Sequence, residues 1–253
     1  MNRNFIPEMG FSLRRCGEGL EGECAVGEDL CVPGTHHLRA SVLVLWADVI
    51  CGLQTAAAVA PKIPATLELG LEMFRPAPLG STVRMFGRVV KSGNAVTHAE
   101  VEMYVDDEPA GLGSASFMLA PGVEMQLPEL DELLAGFRCE LRIGKPYAER
   151  VGSDRLGPGR ARLPKTPDTI NASDTIHGGL VALAIEEAVL AAEPPGTVVT
   201  AMGLRYVRPA RVGPAVAVAE QFGERWKVDV QDAGAGDRSC VHATVTTGPA
   251  EAR

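Results

Sequence analysis

Apolar positions fall into two long unbroken runs and many short alternating ones, and the two kinds predict different elements. Residues 40–60 carry only Asp48 and Gln54 as strongly polar side chains, and residues 178–192 only Glu186 and Glu187. Apolar segments of that length, without alternation, predict helices buried on every side, over 38–60 and 178–192. Pro194-Pro195-Gly196 stops the second. Beyond it, 198–207, 212–222, 226–230 and 239–247 are β-prone runs separated by glycine or charged turns, as in an antiparallel meander. A strand at 159–164 and a polar, turn-rich stretch at 165–176 precede the helix. The first half has the same order: a strand at 21–26, the helix at 38–60, then strands at 66–75, 81–90, 95–105 and 113–119. Residues 120–128 and a short helix at 129–137 predict the connection between the halves.

The likeness extends to residues. Met73-Phe74-Arg75-Pro76-Ala77-Pro78-Leu79-Gly80 returns as Tyr206-Val207-Arg208-Pro209-Ala210-Arg211-Val212-Gly213, at an offset of 133. Aligning the helix acids Asp48 and Glu186 gives an offset of 138. The difference of five falls in the helix-to-strand connection, where insertions cost little. A duplicated α+β unit follows, with units expected at 1–125 and 126–253.

Bulk properties narrow the function. Hydrophobic residues make up 46% and charged residues 22%, a globular balance, and the formal net charge of −8 argues against a nucleic-acid or anionic-membrane surface. Six cysteines, Cys16, Cys24, Cys31, Cys51, Cys139 and Cys240, form no Cys-x-x-Cys pair and have no histidine at zinc-ligand spacing. Scattered thiols and no metal are expected. The run at 40–60 is long enough to cross a bilayer. An acid at its midpoint would cost about 2.5–3.5 kcal/mol there, so a buried core helix is expected instead of a membrane span. The first residues lack a signal-peptide apolar stretch, so the cytoplasm is the expected compartment.

The second helix is preceded by Asn171-Ala172-Ser173-Asp174-Thr175-Ile176-His177-Gly178-Gly179. With the apolar helix after it and the Arg-Pro-Ala turn closing the next strand, this segment resembles the Asn-x5-His-Gly-Gly segment of hotdog-fold acyl-CoA thioesterases of the phenylacetyl-CoA type. The resemblance spans most of 155–248 and, more faintly, 15–120. It implies a double hotdog, two tandem units each with a long central helix wrapped by an antiparallel sheet, and hydrolysis of an acyl thioester to free acid and thiol. No cofactor is implied beyond coenzyme A as part of the substrate, and a homodimer or higher homo-oligomer is compatible with it.

Chemistry gives the residues roles beside the resemblance. Two glycines at a helix start leave the first N–H groups uncovered, so a carbonyl can approach the positive end of the helix. The Gly178 N–H is the expected oxyanion donor, with Gly179 also facing the substrate. Asn171 would hold the attacking water or the carbonyl; His177 would either touch the thioester sulfur or order the loop. The family draws its acid from the opposite helix, which names Asp48 as general base or nucleophile, since a lone carboxylate in an apolar run is costly unless employed. Thr66 would position the acid or the water. Arg75 and Arg208, with Arg88 and Arg205, are candidates for the phosphates of coenzyme A.

The reciprocal site reads as degenerate. Pro33, Arg39, Ala40 and Ser41 stand where the second half has Asn171, His177, Gly178 and Gly179. Glu186 is left facing a pocket without partners, and pairing with Arg39 is expected. Two alternatives stay open: a non-catalytic acyl-CoA or fatty-acid binding module, and a double-hotdog enoyl-CoA hydratase. For the latter only Asp237 and His242 have a suitable spacing, outside the usual motif.

Overall fold

The computed structural model describes residues 5–124, 128–138, 140 and 142–250. Cys139 and the expected unit boundary at 125/126 lie outside them.

Two helices dominate the interior. The first, α1 (Ala40–Val59), has fifteen buried residues, including Trp46, Asp48 and Thr55. Pro61 prevents its continuation, because proline has no N–H to bond back along the helix. Two short helices follow, α2 (Leu130–Leu134) and α3 (Tyr147–Val151), and then α4 (Gly178–Leu190), which buries twelve residues. Trp46 is fully enclosed with Phe11 stacked on it at 4.5 Å, a contact that joins the helix to the leading segment of the chain. Although α1 has the length and hydropathy of a membrane span, most of it is covered by the protein's own sheet.

The strands are β1 (Ser12–Cys16), β2 (Gly19–Ala25), β3 (Lys62–Met73), β4 (Thr82–Ser92), β5 (Val96–Val105) and β6 (Glu108–Glu124) in the first half. The second half contributes β7 (Asp154–Gly157), β8 (Arg160–Leu163), β9 (Thr197–Tyr206), β10 (Ala215–Phe222), β11 (Arg225–Asp232) and β12 (Arg238–Pro249). All join one twelve-stranded sheet in the order β1-β2-β4-β5-β6-β3-β9-β12-β11-β10-β8-β7. Read from either end, the order gives the same unit. The halves meet where β3 pairs antiparallel with β9, and Gly70 lies opposite Gly203. Those two residues differ by 133, the offset of the Arg-Pro-Ala turns, so a pseudo-twofold axis passes through this pair. This is the double hotdog: each helix lies against its own half of the sheet, and the helices also pack on each other.

Each half begins with a two-stranded hairpin, where the sequence predicts a single strand. The outer members, β1 and β7, are short edges with Arg14, Arg15, Asp154 and Arg155 exposed. Charge on an edge strand discourages pairing with another chain, and it also removes the apolar alternation by which a strand is recognised. The last strand of the first half is likewise longer than predicted, at Glu108–Glu124.

Candidate functional site

The site is built where the N-terminus of α4 meets the middle of α1. His177 is the N-cap of α4, and its ring Nδ1 accepts from the Gly179 N–H at 3.2 Å. The same N–H donates to Asp48 Oδ2 at 2.9 Å. Asp48 thus caps a helix belonging to the other half of the chain. Mid-helix position denies a carboxylate spare donors on its own helix, and the partner comes from the neighbouring helix instead. Asp48 Oδ1 accepts from the Thr66 hydroxyl at 3.3 Å, and His177 Nδ1 lies 3.5 Å from Asp48 Oδ2.

The two glycines answer to different constraints. A Cβ on Gly179 would lie 2.9 Å from Leu45 Cα and 3.2 Å from Asp48 Cβ, so this residue is glycine to let the helices approach. The sequence assigns Gly179 to the substrate; the structure assigns its space to the helix contact and its N–H to Asp48. A Cβ on Gly178 would instead point into the space between Asp48 Oδ2 at 3.4 Å, Thr66 Oγ1 at 3.5 Å and Tyr206 Cε1 at 3.5 Å. That space is the chemically equipped volume of the site. The Gly178 N–H, in the first turn of α4, has no hydrogen-bond partner in the helix.

Burial sets the protonation states. It raises the Asp48 carboxyl above the usual aspartate range, opposed by His177, the Gly179 N–H and the Thr66 hydroxyl. The His177 ring is held below the usual histidine range by burial, with Asp48 pulling the other way. A neutral imidazole and a carboxylate more basic than usual therefore stand side by side, sharing one N–H, and they titrate as a unit.

Tyr206 belongs to the site and was not anticipated. Its hydroxyl donates to the Gly178 carbonyl at 2.8 Å, fixing the first residue of α4 from β9. Burial, and then the charge of Asp48, hold this phenol well above its ordinary pKa, so it stays a donor. The repeat carried the signal: Met73 occupies the matching position in the other half, and only one copy has a hydroxyl there.

Asn171 sits further back. Its side-chain oxygen accepts from the Ser173 N–H at 2.9 Å, the Thr175 N–H at 3.2 Å and the Thr175 hydroxyl at 3.1 Å. It orders the loop that delivers His177 and Gly178. Arg208 donates to the Ser239 carbonyl and lies two residues past Tyr206, on the Asp48 side. Arg75 does not: it follows the far end of β3 from Thr66, nine residues away, or roughly 30 Å at about 3.3 Å per residue. Arg88 pairs with Glu100 and Arg205 with Glu68 on exposed strand faces. His242 faces Asp229 at 3.5 Å and not Asp237, so the Asp–His pair considered for a hydratase is not assembled.

The matching arrangement around Glu186 is closed. The Ser41 N–H donates to Glu186 Oε1 at 3.4 Å, as Gly179 does to Asp48, and the Ser41 hydroxyl donates to Oε2 at 2.6 Å. Arg39, at the position of His177, reaches Glu186 at 3.1 Å and Glu187 at 2.6 Å, and Arg155 holds Glu187 from outside at 2.6 Å. Burial pushes the Glu187 carboxyl up, but Arg39 and Arg155 outweigh it and leave the group below its usual range. Val199 stands where Thr66 stands in the other half.

Residues 37–111 match the family model described as the Thioesterase superfamily. A comparison with curated protein sequences finds no match. Among solved structures, the chain is similar to an acyl-ACP thioesterase from Bacteroides thetaiotaomicron, at 12% identity over 90% of this chain and 97% of that one, with a TM-score of 0.62. It is also similar to the 12:0-ACP thioesterase from Umbellularia californica, at 12% identity over 93% and 99% with a TM-score of 0.63. A third is a hot dog fold protein of unknown function from Alicyclobacillus acidocaldarius, at 13% identity over 98% of each chain with a TM-score of 0.57. At such identities the likeness is one of fold, and it singles out no phenylacetyl-CoA subgroup. The family match lies in the half where the motif is less complete. The chain therefore has the double hotdog fold, and its residues 37–111 carry the pattern of the Thioesterase superfamily.

Proposed function

We propose that the protein hydrolyses acyl thioesters, acyl-CoA in particular, at one composite site formed by Asp48 and Thr66 of the first half with His177, Gly178 and Tyr206 of the second. The observation that carries this reading is the raised, buried Asp48 carboxylate held beside the unbonded N–H of Gly178, at the positive end of α4. A thioester carbonyl placed over Gly178 would point its oxygen at that N–H. Water activated by Asp48 adds to the carbonyl carbon while Asp48 takes its proton; the tetrahedral oxyanion collapses, the C–S bond breaks and the thiolate leaves with that proton. In the nucleophilic variant Asp48 adds to the carbonyl itself, the C–S bond breaks to release the thiolate, and water cleaves the resulting mixed anhydride to the free acid and the Asp48 carboxyl, whose proton passes to the thiolate. Thr66 orients the acid, Asn171 the loop, and Tyr206 the first residue of the helix. Arg208 is the arginine positioned to meet an anionic carrier on this side.

A thiol-release assay over a panel of acyl-CoA substrates tests the reading. Turnover that disappears in Asp48→Asn supports it. Saturable acyl-CoA binding with no thiol released from any member of the panel would sink it in favour of a binding module.

A further inference from the structure

The half without catalytic equipment still has a cavity. A half-open cavity of about 270 Å³ lies beside the N-terminus of α1, between Leu38, Leu43, Met73, Phe74, Val198 and Val199. Its frame repeats that of the Asp48 site where the helix-entry loop is docked. The Leu38 N–H donates to the Ala77 carbonyl at 2.9 Å and the Ile176 N–H to the Ala210 carbonyl at 3.0 Å, so each helix-entry loop is docked on its own Arg-Pro-Ala turn. Ala40 lines the cavity where Gly178 would stand, and Val199 where Thr66 would. Glu186, the only acid at the catalytic position, is fully buried and held by Arg39 and Ser41. The cavity therefore has walls for an acyl chain and no carboxylate in its lining to attack it.

Two groups give it a polar end. His37 lines the cavity, and its Nδ1 is buried with no hydrogen-bond partner in the structure. A buried polar atom left so is costly, and a bound acceptor or donor would recover that cost. Arg75 also lines the cavity; its side chain is half exposed and only 4.0 Å from Glu108, a contact too long to satisfy the guanidinium. We infer that this cavity is a second, non-hydrolytic site that binds a medium-chain fatty acid, with its alkyl chain among Leu38, Leu43 and Val199 and its carboxylate toward His37 and Arg75. The volume holds roughly nine groups of about 30 Å³, the size of a water or a methylene, which suits an eight-carbon acid better than a long one. The inference does not depend on hydrolysis at Asp48.

Photolabelling of the full chain with an alkyl-diazirine analogue of octanoic acid, read by mass spectrometry of labelled peptides, tests it. Labels are expected within residues 38–43, 73–77 and 198–200, and unlabelled octanoate should compete them away. Val199→Phe fills the cavity and should cut this labelling roughly tenfold or more, the equivalent of about 1.4 kcal/mol, while thiol release from acyl-CoA stays at the parent rate. Arg75→Gln alters an exposed side chain, leaves the core intact, and should weaken the same labels even if Val199→Phe folds poorly. Labels confined to residues 64–67, 176–181 and 206–210, no labelling at all, or labelling indifferent to both substitutions would overturn the inference. Cavity labelling in a protein that releases no thiol would uphold it and overturn the hydrolase reading instead.

Discussion

A methyl group on Gly178 fits without collision, since its nearest neighbours would be 3.4–3.5 Å away, yet it would occupy the space shared by Asp48, Thr66 and Tyr206. Gly178→Ala should therefore keep the fold and lose at least about tenfold in kcat, because blocked access to an oxyanion donor is a transition-state defect. One residue later the same change has the opposite character. Gly179→Ala forces a methyl group against Leu45 Cα and should cost about 1–3 kcal/mol, a fall of several degrees in Tm measured by circular dichroism. Normal turnover in Gly178→Ala would remove the oxyanion assignment, and an unchanged Tm in Gly179→Ala would remove the helix-contact argument. Tyr206→Phe deletes only the bond to the Gly178 carbonyl, worth about 1 kcal/mol, so its effect should appear in kcat with little change in KM. At this scale the lone carboxylate and the His-Gly-Gly string pointed to Asp48, Gly178 and Gly179, and the structure brings these residues together. The loop bonds of the Asn171 oxygen were not legible, because a side-chain amide that caps backbone N–H groups looks the same in sequence as one that holds a water.

Between elements, the two central helices cap each other in reciprocal fashion. Asp48 on α1 receives the first-turn Gly179 N–H of α4, and Glu186 on α4 receives the first-turn Ser41 N–H of α1. The second contact is reinforced by a buried ion cluster in which Arg39 alone neutralises two neighbouring carboxylates from inside. Arg39→Met should cost about 3–5 kcal/mol, since it leaves buried charge unpaired, and urea denaturation measures it. The cluster also predicts a direction in pH. Glu187 lies below its usual range when folded, so the stability it contributes is present above the ordinary glutamate pKa and drains away as pH falls through the depressed value. A parent protein whose denaturation midpoint is flat from pH 6 down to acid unfolding, or an Arg39→Met variant as stable as the parent, would contradict this. The long helices were legible because nothing interrupts their apolar runs. The edge strands β1 and β7 were not, because Arg14, Arg15, Asp154 and Arg155 erase the alternation that marks a strand.

Across the whole molecule, the pseudo-twofold axis through Gly70 and Gly203 makes a controlled comparison out of one chain: the same helix position carries the proposed catalytic acid in one half and an ion-paired acid in the other. Activity and stability should then respond in opposite ways to neutralising each. Burial raises the folded pKa of Asp48, so its contribution to stability is full only below the unfolded value of about 3.9 and is lost as pH rises through the folded one. Ionised Asp48 is a cost at neutral pH. Asp48→Asn keeps an oxygen for the Gly179 N–H and removes that cost, so Tm at pH 7 should hold or rise while kcat falls by about 10²–10⁴, the usual worth of a general base. The acid limb of kcat/KM in the parent should lie above the ordinary aspartate range for the same reason. Glu186→Gln takes a charge from Arg39 and should lower Tm, yet leave most of the turnover of the protein that remains folded. Measuring kcat/KM and Tm for both variants on one acyl-CoA substrate decides the matter. A dead Glu186→Gln beside an active Asp48→Asn would place the working site in the wrong half, and equal partial losses would mean that the Arg39 cluster opens and both halves turn over.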